Sequence, residues 1–223
     1  DITGETNGAI TVKWMPPFEA DAAQFPPPYS YRVVRAEGAS GETGLVTVTT
    51  TSATTFTDTG IDTENDIFNY RIIAIDSQGK PLDPSASASS VRLEADSEVN
   101  SIRLSWSATV PWSNEIQTPP NRHLIYRGDK DAADSELVLI DSVDVTSAGF
   151  SYVDDNGLDP GATYCYRVLT RGAYGNPQIA EPLLNFSQKI CAQPGDTIPP
   201  CKPLSPIPVD PLNCHVYASS SES

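Results

Sequence analysis

Histidine is almost missing from this chain: His123 and His215 are the two copies in 223 residues. An active site built on an imidazole base, or a histidine-rich metal site, has little material to draw on. Neither histidine has a good claim to activate a thiol. His215 adjoins Cys214, and neighbours along a strand point to opposite faces. The Gly-x-Ser-x-Gly elbow, the His-Glu-x-x-His zinc helix and the Gly-rich phosphate loop do not occur. Positive charge is scarce as well, with 14 Lys and Arg against 29 Asp and Glu, a net charge of −15. So acidic a surface repels phosphate backbones, which argues against a nucleic-acid partner and for plain solubility, with a calcium-binding surface as the alternative. No apolar run approaches membrane-spanning length, and no window of ten or more residues holds a helical period.

What the chain does contain points to short strands and many turns. Hydrophobic residues make up 39%, enough for packed cores, and proline reaches 20 residues alongside abundant Ser and Thr. Ala9 to Trp14 alternates with Ile10, Val12 and Trp14 on one face, and a proline-rich connection leads to the strand YSYRVVRAEG. Gly41 to Thr51, heavy in Val and Thr, is expected to form a strand pair. FTDTGID then precedes IFNYRIIAID, in which Phe68, Tyr70 and Ile72 face inward.

The pattern then recurs. SIRLSW matches AITVKW and LIYRG matches VVRAE, placing Trp106 opposite Trp14 and Arg127 opposite Arg35, both at an offset of 92. YVDDNGL matches FTDTGI and CYRV matches NYRI, placing Tyr152 opposite Phe56 and Tyr166 opposite Tyr70, now at 96. The four extra residues must lie between Arg127 and Tyr152 and are expected inside a hairpin, where length costs little. A duplicated unit of about 95 residues explains this order. The domains are placed at residues 1–90 and 91–194, joined without a flexible linker, with 195–223 as a proline-rich segment opening an incomplete third domain.

LDPGATYCYRV, Leu158 to Val168, identifies the architecture. A Leu-x-Pro-Gly corner feeds a strand headed by Tyr164, six residues after Leu158. This is the tyrosine corner of immunoglobulin-like sandwiches, in which the ring packs inside and the hydroxyl bonds back to the corner's backbone. The fold class is therefore all-β, as tandem immunoglobulin-like sandwiches. The first unit carries Phe68 at that place and has no hydroxyl, so its corner is expected to be looser by about 1 kcal/mol.

Cys165, Cys191, Cys201 and Cys214 include no Cys-x-x-Cys pair, and two disulfides in an exported protein are expected. Cys165 on the outer face of the sixth strand and Cys191 near the end of the seventh would bridge if directly opposed. Cys201 would then pair with Cys214, although pairing across the domain boundary stays open. The acidic loops GDKDAADSE and VDDNGLD offer Asp129, Asp131, Asp134, Asp154 and Asp155 as weak calcium candidates, against ordinary solvated turns. Trp112, with Phe18 and Phe25 in the matching loop of the first unit, either caps a sandwich or offers a stacking platform to a sugar or partner protein. No cleft for a carboxylate pair is apparent, so neither an enzyme nor a cofactor is expected.

Seven short strands with a Trp on the second and a tyrosine corner on the sixth resemble fibronectin type III over residues 1 to about 194. More narrowly, WMPPFEADAAQFPPPYSYRVVRAEG, WSATVPWSNEIQTPPNRHLIYRG, LDPGATYCYRVLTRGAYG, PLLNFSQKICA and DTIPPCKP resemble the tandem domains upstream of the C-terminal sorting domain in Bacteroidetes surface proteins. Those proteins are the gliding motility-associated, type B cargo of the type IX secretion system. The resemblance implies export through the outer membrane and display at, or release from, the cell surface, within a longer protein. It implies a spacing and presenting role, with the chain's own neighbouring domains, secretion or gliding machinery, or surface polysaccharide as partners, and no direct membrane insertion. The rivals are an adhesin and an accessory region of a secreted hydrolase. Asp141-Ser142-Val143 and Asp196-Thr197-Ile198 resemble the Bacteroidetes O-glycosylation motif, making Ser142 and Thr197 candidate sites.

Overall fold

The structure, a computed structural model, describes residues 7–40, 43–107, 110, 122–179 and 181–196. Among these residues the strands form two sandwiches in sequence. In the N-terminal one, β1 (Gly8–Lys13) pairs with β4 (Thr55–Ile61), and this small sheet faces a second of order β3 (Val46–Thr51), β2 (Ser30–Glu37), β5 (Phe68–Ile75) and β6 (Ala88–Ser89). In the C-terminal one, β11 (Ser151–Asp154), β8 (Ser101–Ser107) and β7 (Arg92–Glu98) form one sheet. The other runs β10 (Val138–Asp144), β9 (Arg122–Asp129), β12 (Tyr164–Gly172) and β13 (Leu183–Phe186), with β14 (Ile190–Ala192) also on β12. All named strand pairs are antiparallel.

Period-two alternation is what closes each core. Ile10, Val33, Ile61, Phe68 and Tyr70 form the buried N-terminal cluster, with Val12, Trp14, Phe56 and Ile72 packed on it. The C-terminal cluster is larger and includes Leu93, Ile102, Leu104, Trp106, Ile125, Tyr164, Tyr166 and Val168. Two local expectations need correction. Between Val46 and Thr51 there is one strand rather than a pair. The four extra residues do not lengthen a hairpin either, because Arg35 faces Val46 and Arg127 faces Val138 at the same spacing. They are the helix α1 (Val145–Ala148), in the crossover from β10 to β11. Asp144 caps this single turn, accepting from the Thr146 N–H at 3.0 Å, and Val145 is buried in the core.

One residue of chain separates the two sandwiches. Ser89 still belongs to the N-terminal sheet, while Val91 already forms a parallel bridge with Ser187 of the C-terminal one. Ser90, between them, donates its N–H to Phe68 O at 2.8 Å and accepts the Phe68 N–H on its hydroxyl at 3.0 Å. Asn185 then reaches across, its Nδ2 donating to Ser89 O at 3.0 Å.

Candidate functional site

The duplicated positions carry a polar tie between the two sheets of each sandwich. In the N-terminal one Arg35 on β2 donates to Asp58 Oδ2 on β4 at 2.7 Å, and the Tyr70 hydroxyl on β5 donates to the same oxygen at 3.0 Å. In the C-terminal one Arg127 meets Asp154 Oδ2 at 2.8 Å, and the Tyr166 hydroxyl meets it at 2.8 Å. Burial first, and the adjacent carboxylate second, push both tyrosines well above their ordinary range, so each hydroxyl remains a donor at any physiological pH. The Arg127 guanidinium is raised despite its burial because Asp154 holds the charged form. These aspartates were legible as a matched pair, but composition alone reads a Thr-Asp-Thr or Val-Asp-Asp run as a solvated turn.

Other matched positions differ. Arg35 lies over the Phe68 ring at 5.1 Å and Arg127 over the Tyr164 ring at 5.3 Å, so both rings hold the same place. Tyr164 is buried, and its hydroxyl accepts the Asp159 N–H at 2.9 Å, the expected tyrosine corner. Where Leu158 stands in that corner, the N-terminal sandwich has Asp62. Its carboxylate accepts the N–H groups of Glu64 at 3.1 Å and Asn65 at 3.0 Å, and the Asn65 side chain. Hydrogen bonds from Asn65 accordingly hold the Asp62 carboxyl below its usual range. That corner is stitched from the turn itself rather than left loose.

Cys165 and Cys191 face one another in register on β12 and β14 and form a disulfide. The matching pair on β5 and β6 is Asn69 and Ser89. Asn69 is fully buried and ties Ala36 O, Gly38 O and the Ser87 hydroxyl, so hydrogen bonds stand where the other sandwich has a covalent link. Trp106 donates from Nε1 to His123 Nδ1 at 2.9 Å inside the C-terminal core. Trp14 lies edge-on to Tyr31 at 5.7 Å, the residue matching His123, and its Nε1 has no hydrogen-bond partner among the described residues. Burial lowers the His123 imidazole to about 4. It is a core group, neutral at physiological pH, and has no access to solvent chemistry.

The candidate residues are scattered. Phe18 is 45% exposed, while Phe25 is half-buried under Lys80 Nζ at 4.1 Å. Asp154 is committed to its tie and Asp134 to Arg167 at 2.6 Å; Asp129, Asp131 and Asp155 are exposed. Among the described residues no cluster of three His, Cys, Asp or Glu is set to hold a metal ion. Ser142, on the edge strand β10, takes the Arg122 guanidinium on its hydroxyl at 2.6 Å. Trp112, Thr197, Cys201 and Cys214 lie outside the described residues. Sequence reasoning missed the surface where Tyr126, Arg167 and Phe186 converge with Asp134. Its signal is the outward register of β9, β12 and β13.

No family model matches the chain, and no curated protein does. Among solved structures it is similar to the FN1–FN3 domains of chicken CNTN1, at 16% identity and a TM-score of 0.32. The match covers 88% of this chain and 64% of that one, so the chain spans less than two thirds of that structure. The fold is fibronectin type III-like. That statement rests on the geometry of the C-terminal sandwich: its first, second and fifth strands in one sheet, the rest in the other, a Trp on the second and a tyrosine corner on the sixth. The disulfide is compatible with an extracellular setting. No helix among the described residues is long and apolar enough to cross a membrane.

Proposed function

We propose that the chain is a spacing and presenting region of a secreted bacterial surface protein, exported by the type IX secretion system and placed near its sorting domain. Its domains are residues 1–90 and 91–194, followed at 195–223 by the opening of a third. The observation that carries the spacer role is the junction. One residue, Ser90, separates the two sandwiches, and both of its hydrogen bonds to Phe68 tie it to the first. The Asn185 side chain ties the second sandwich to Ser89. A flexible linker would let the outer module swing, whereas this junction transmits its orientation. The export route rests on the resemblance of the tryptophan, tyrosine-corner and Asp-Thr-Ile-Pro-Pro-Cys segments to type B cargo.

In the parent cell, surface labelling of the protein is expected to vanish when the type IX translocon is disabled; unchanged labelling would defeat the export reading. Replacing both sandwiches by an unrelated rigid rod of equal length separates spacer from adhesin. Function retained by the replacement supports spacing, and function lost supports a binding role for these modules.

A further inference from the structure

On the outside of the C-terminal sandwich, strands β9, β12 and β13 frame a hollow of about 330 Å³ lined by Tyr126, Asp134, Ser135, Leu137, Arg167 and Phe186. That volume is at the small end of the range for small-ligand sites. We propose that this hollow binds one neutral sugar ring, stacked on Tyr126 and Phe186 and hydrogen-bonded at its rim by Asp134 and Ser135. The inference goes beyond the spacer reading and does not depend on it.

The floor is aromatic and fixed. The Tyr126 and Phe186 rings lie 6.0 Å apart at 57°, so they form an open V rather than covering one another. Arg167 packs on the Phe186 ring, its guanidinium 4.6 Å from the ring centre and its Nε donating to Ser187 O at 3.0 Å. The same guanidinium meets Asp134 Oδ2 at 2.6 Å, with the arginine side chain 7% exposed and the aspartate 52% exposed. A buried cation thus orients a carboxylate whose outer edge is open to accept hydroxyl donors. Lys189 Nζ stands 3.5 Å from the other oxygen, Oδ1. With Arg167 and Lys189 beside Asp134, the rim has no excess negative charge to select a cation. Two cations against one carboxylate leave an anionic sugar as the competing ligand, which the glucuronate arm of the test separates. An apolar floor with hydroxyl-directed acceptors fits an uncharged sugar, whose C–H face stacks while its hydroxyls bond outward.

The duplication supplies the control. In the N-terminal sandwich Val34 occupies the place of Tyr126 and Pro84 that of Phe186, while Arg71 keeps the place of Arg167. The blueprint therefore folds with the arginine and without either ring, and the aromatics are an addition that folding does not require. Gly128 is a second addition, standing where the first sandwich has Ala36. A Cβ there would come within 2.5 Å of Leu137 Cδ2, so glycine is what lets Leu137 reach down to complete the floor.

The test is an amide NMR titration of the full 223-residue chain with the methyl glycosides of glucose, galactose, mannose and N-acetylglucosamine, and with glucuronate. At least one neutral glycoside is expected to shift the amides around Tyr126, Ser135 and Arg167 saturably. Tyr126→Val, which copies the residue the first sandwich already accommodates, is expected to weaken that binding about tenfold with the spectrum otherwise intact. Asp134→Asn is expected to weaken it as well. The proposal is overturned if no neutral glycoside shifts these amides at about 0.1 M, where a 10 mM contact would be near saturation. Shifts with glucuronate alone, or shifts that Tyr126→Val leaves unchanged, overturn it too.

Discussion

Two copies of one sandwich follow one another along the chain, and at matched positions they solve the same structural problem with different chemistry. The tie between sheets is common to both: Arg35, Asp58 and Tyr70 in one, Arg127, Asp154 and Tyr166 in the other. The strand-to-strand link is hydrogen-bonded Asn69 with Ser89 beside it in one, and disulfide-bonded Cys165–Cys191 in the other. The partner of the core tryptophan is Tyr31 in one and His123 in the other. What both copies retain is what closes the sandwich, and what they vary is how a given position is locked. Separating those two classes is what the following substitutions do.

The largest effect should come from the shared element. Asp154→Ala leaves the Arg127 charge and the Tyr166 hydroxyl without their acceptor in a buried site and should cost about 3–5 kcal/mol, read from denaturant unfolding of the C-terminal sandwich. Asp58→Ala should cost less, because that side chain is 10% exposed against 1% for Asp154 and water can rescue its partners. Equal losses would mean that exposure does not set the scale. A loss under about 1 kcal/mol at Asp154 would demote the tie to decoration.

Removing the lock that only one copy has comes next. Replacing Cys165 and Cys191 together by Ser and Ala should lower the stability of the C-terminal sandwich by roughly 3 kcal/mol, with the N-terminal transition unmoved. If the N-terminal transition falls in step, the junction at Ser90 couples the two units more strongly than its few hydrogen bonds suggest.

The His123–Tyr31 difference predicts that acid acts on one copy. Burial depresses the folded-state value of His123 to about 4, below the 6.5 of the unfolded chain. Below pH 6.5 the unfolded state therefore binds a proton that the folded state refuses. Stability is fully present above about 6.5 and is lost as pH falls toward 4, by roughly 2–3 kcal/mol. Nδ1 also accepts the Trp106 N–H at 2.9 Å, a bond that a protonated nitrogen could not make. His123→Tyr, the residue of the other copy, should flatten this slope for the C-terminal sandwich. A slope that survives the substitution would assign the acid sensitivity to the carboxylates.

The inward alternation of Ile10-Val12-Trp14 and Phe68-Tyr70-Ile72 could be seen in the sequence because a strand's period is local. Offsets of 92 and 96 likewise marked the duplication and the corner at Tyr164. The tie at Asp58 and Asp154 was visible as a coincidence of position and not as a role, since a polar residue beside a turn is solvated far more often than buried. The register Ser85–Ser187, where both hydroxyls accept from the paired strand at Ile72 and Val168, was hidden by the unequal loops that precede them. The four extra residues fall in helix α1 rather than a hairpin for a similar reason: Arg127 and Tyr152 bracket them without saying which connection takes them. Tyr126 and Phe186 face outward and so look like ordinary surface, until the sheet sets them side by side across Arg167.

The smallest effect tests the corners. Tyr164→Phe removes one hydrogen bond and should cost the C-terminal sandwich about 1 kcal/mol. If the N-terminal corner were merely the same corner with its hydroxyl deleted, Phe68→Tyr would restore the bond and stabilise that sandwich by a similar amount. The structure argues otherwise. Asp62 already accepts the N–H groups of Glu64 and Asn65, and Asp66 N–H donates back to Asp62 O at 3.3 Å, so these three donors of the turn are engaged. A new hydroxyl at Phe68, a buried ring, would enter without an open donor and gain nothing. No gain, or a small loss, from Phe68→Tyr in the intact protein is the expected result, with a gain appearing once Asp62→Ala has released the turn. A gain from Phe68→Tyr alone would show that the first corner is a defect in the copy rather than a second way to close it.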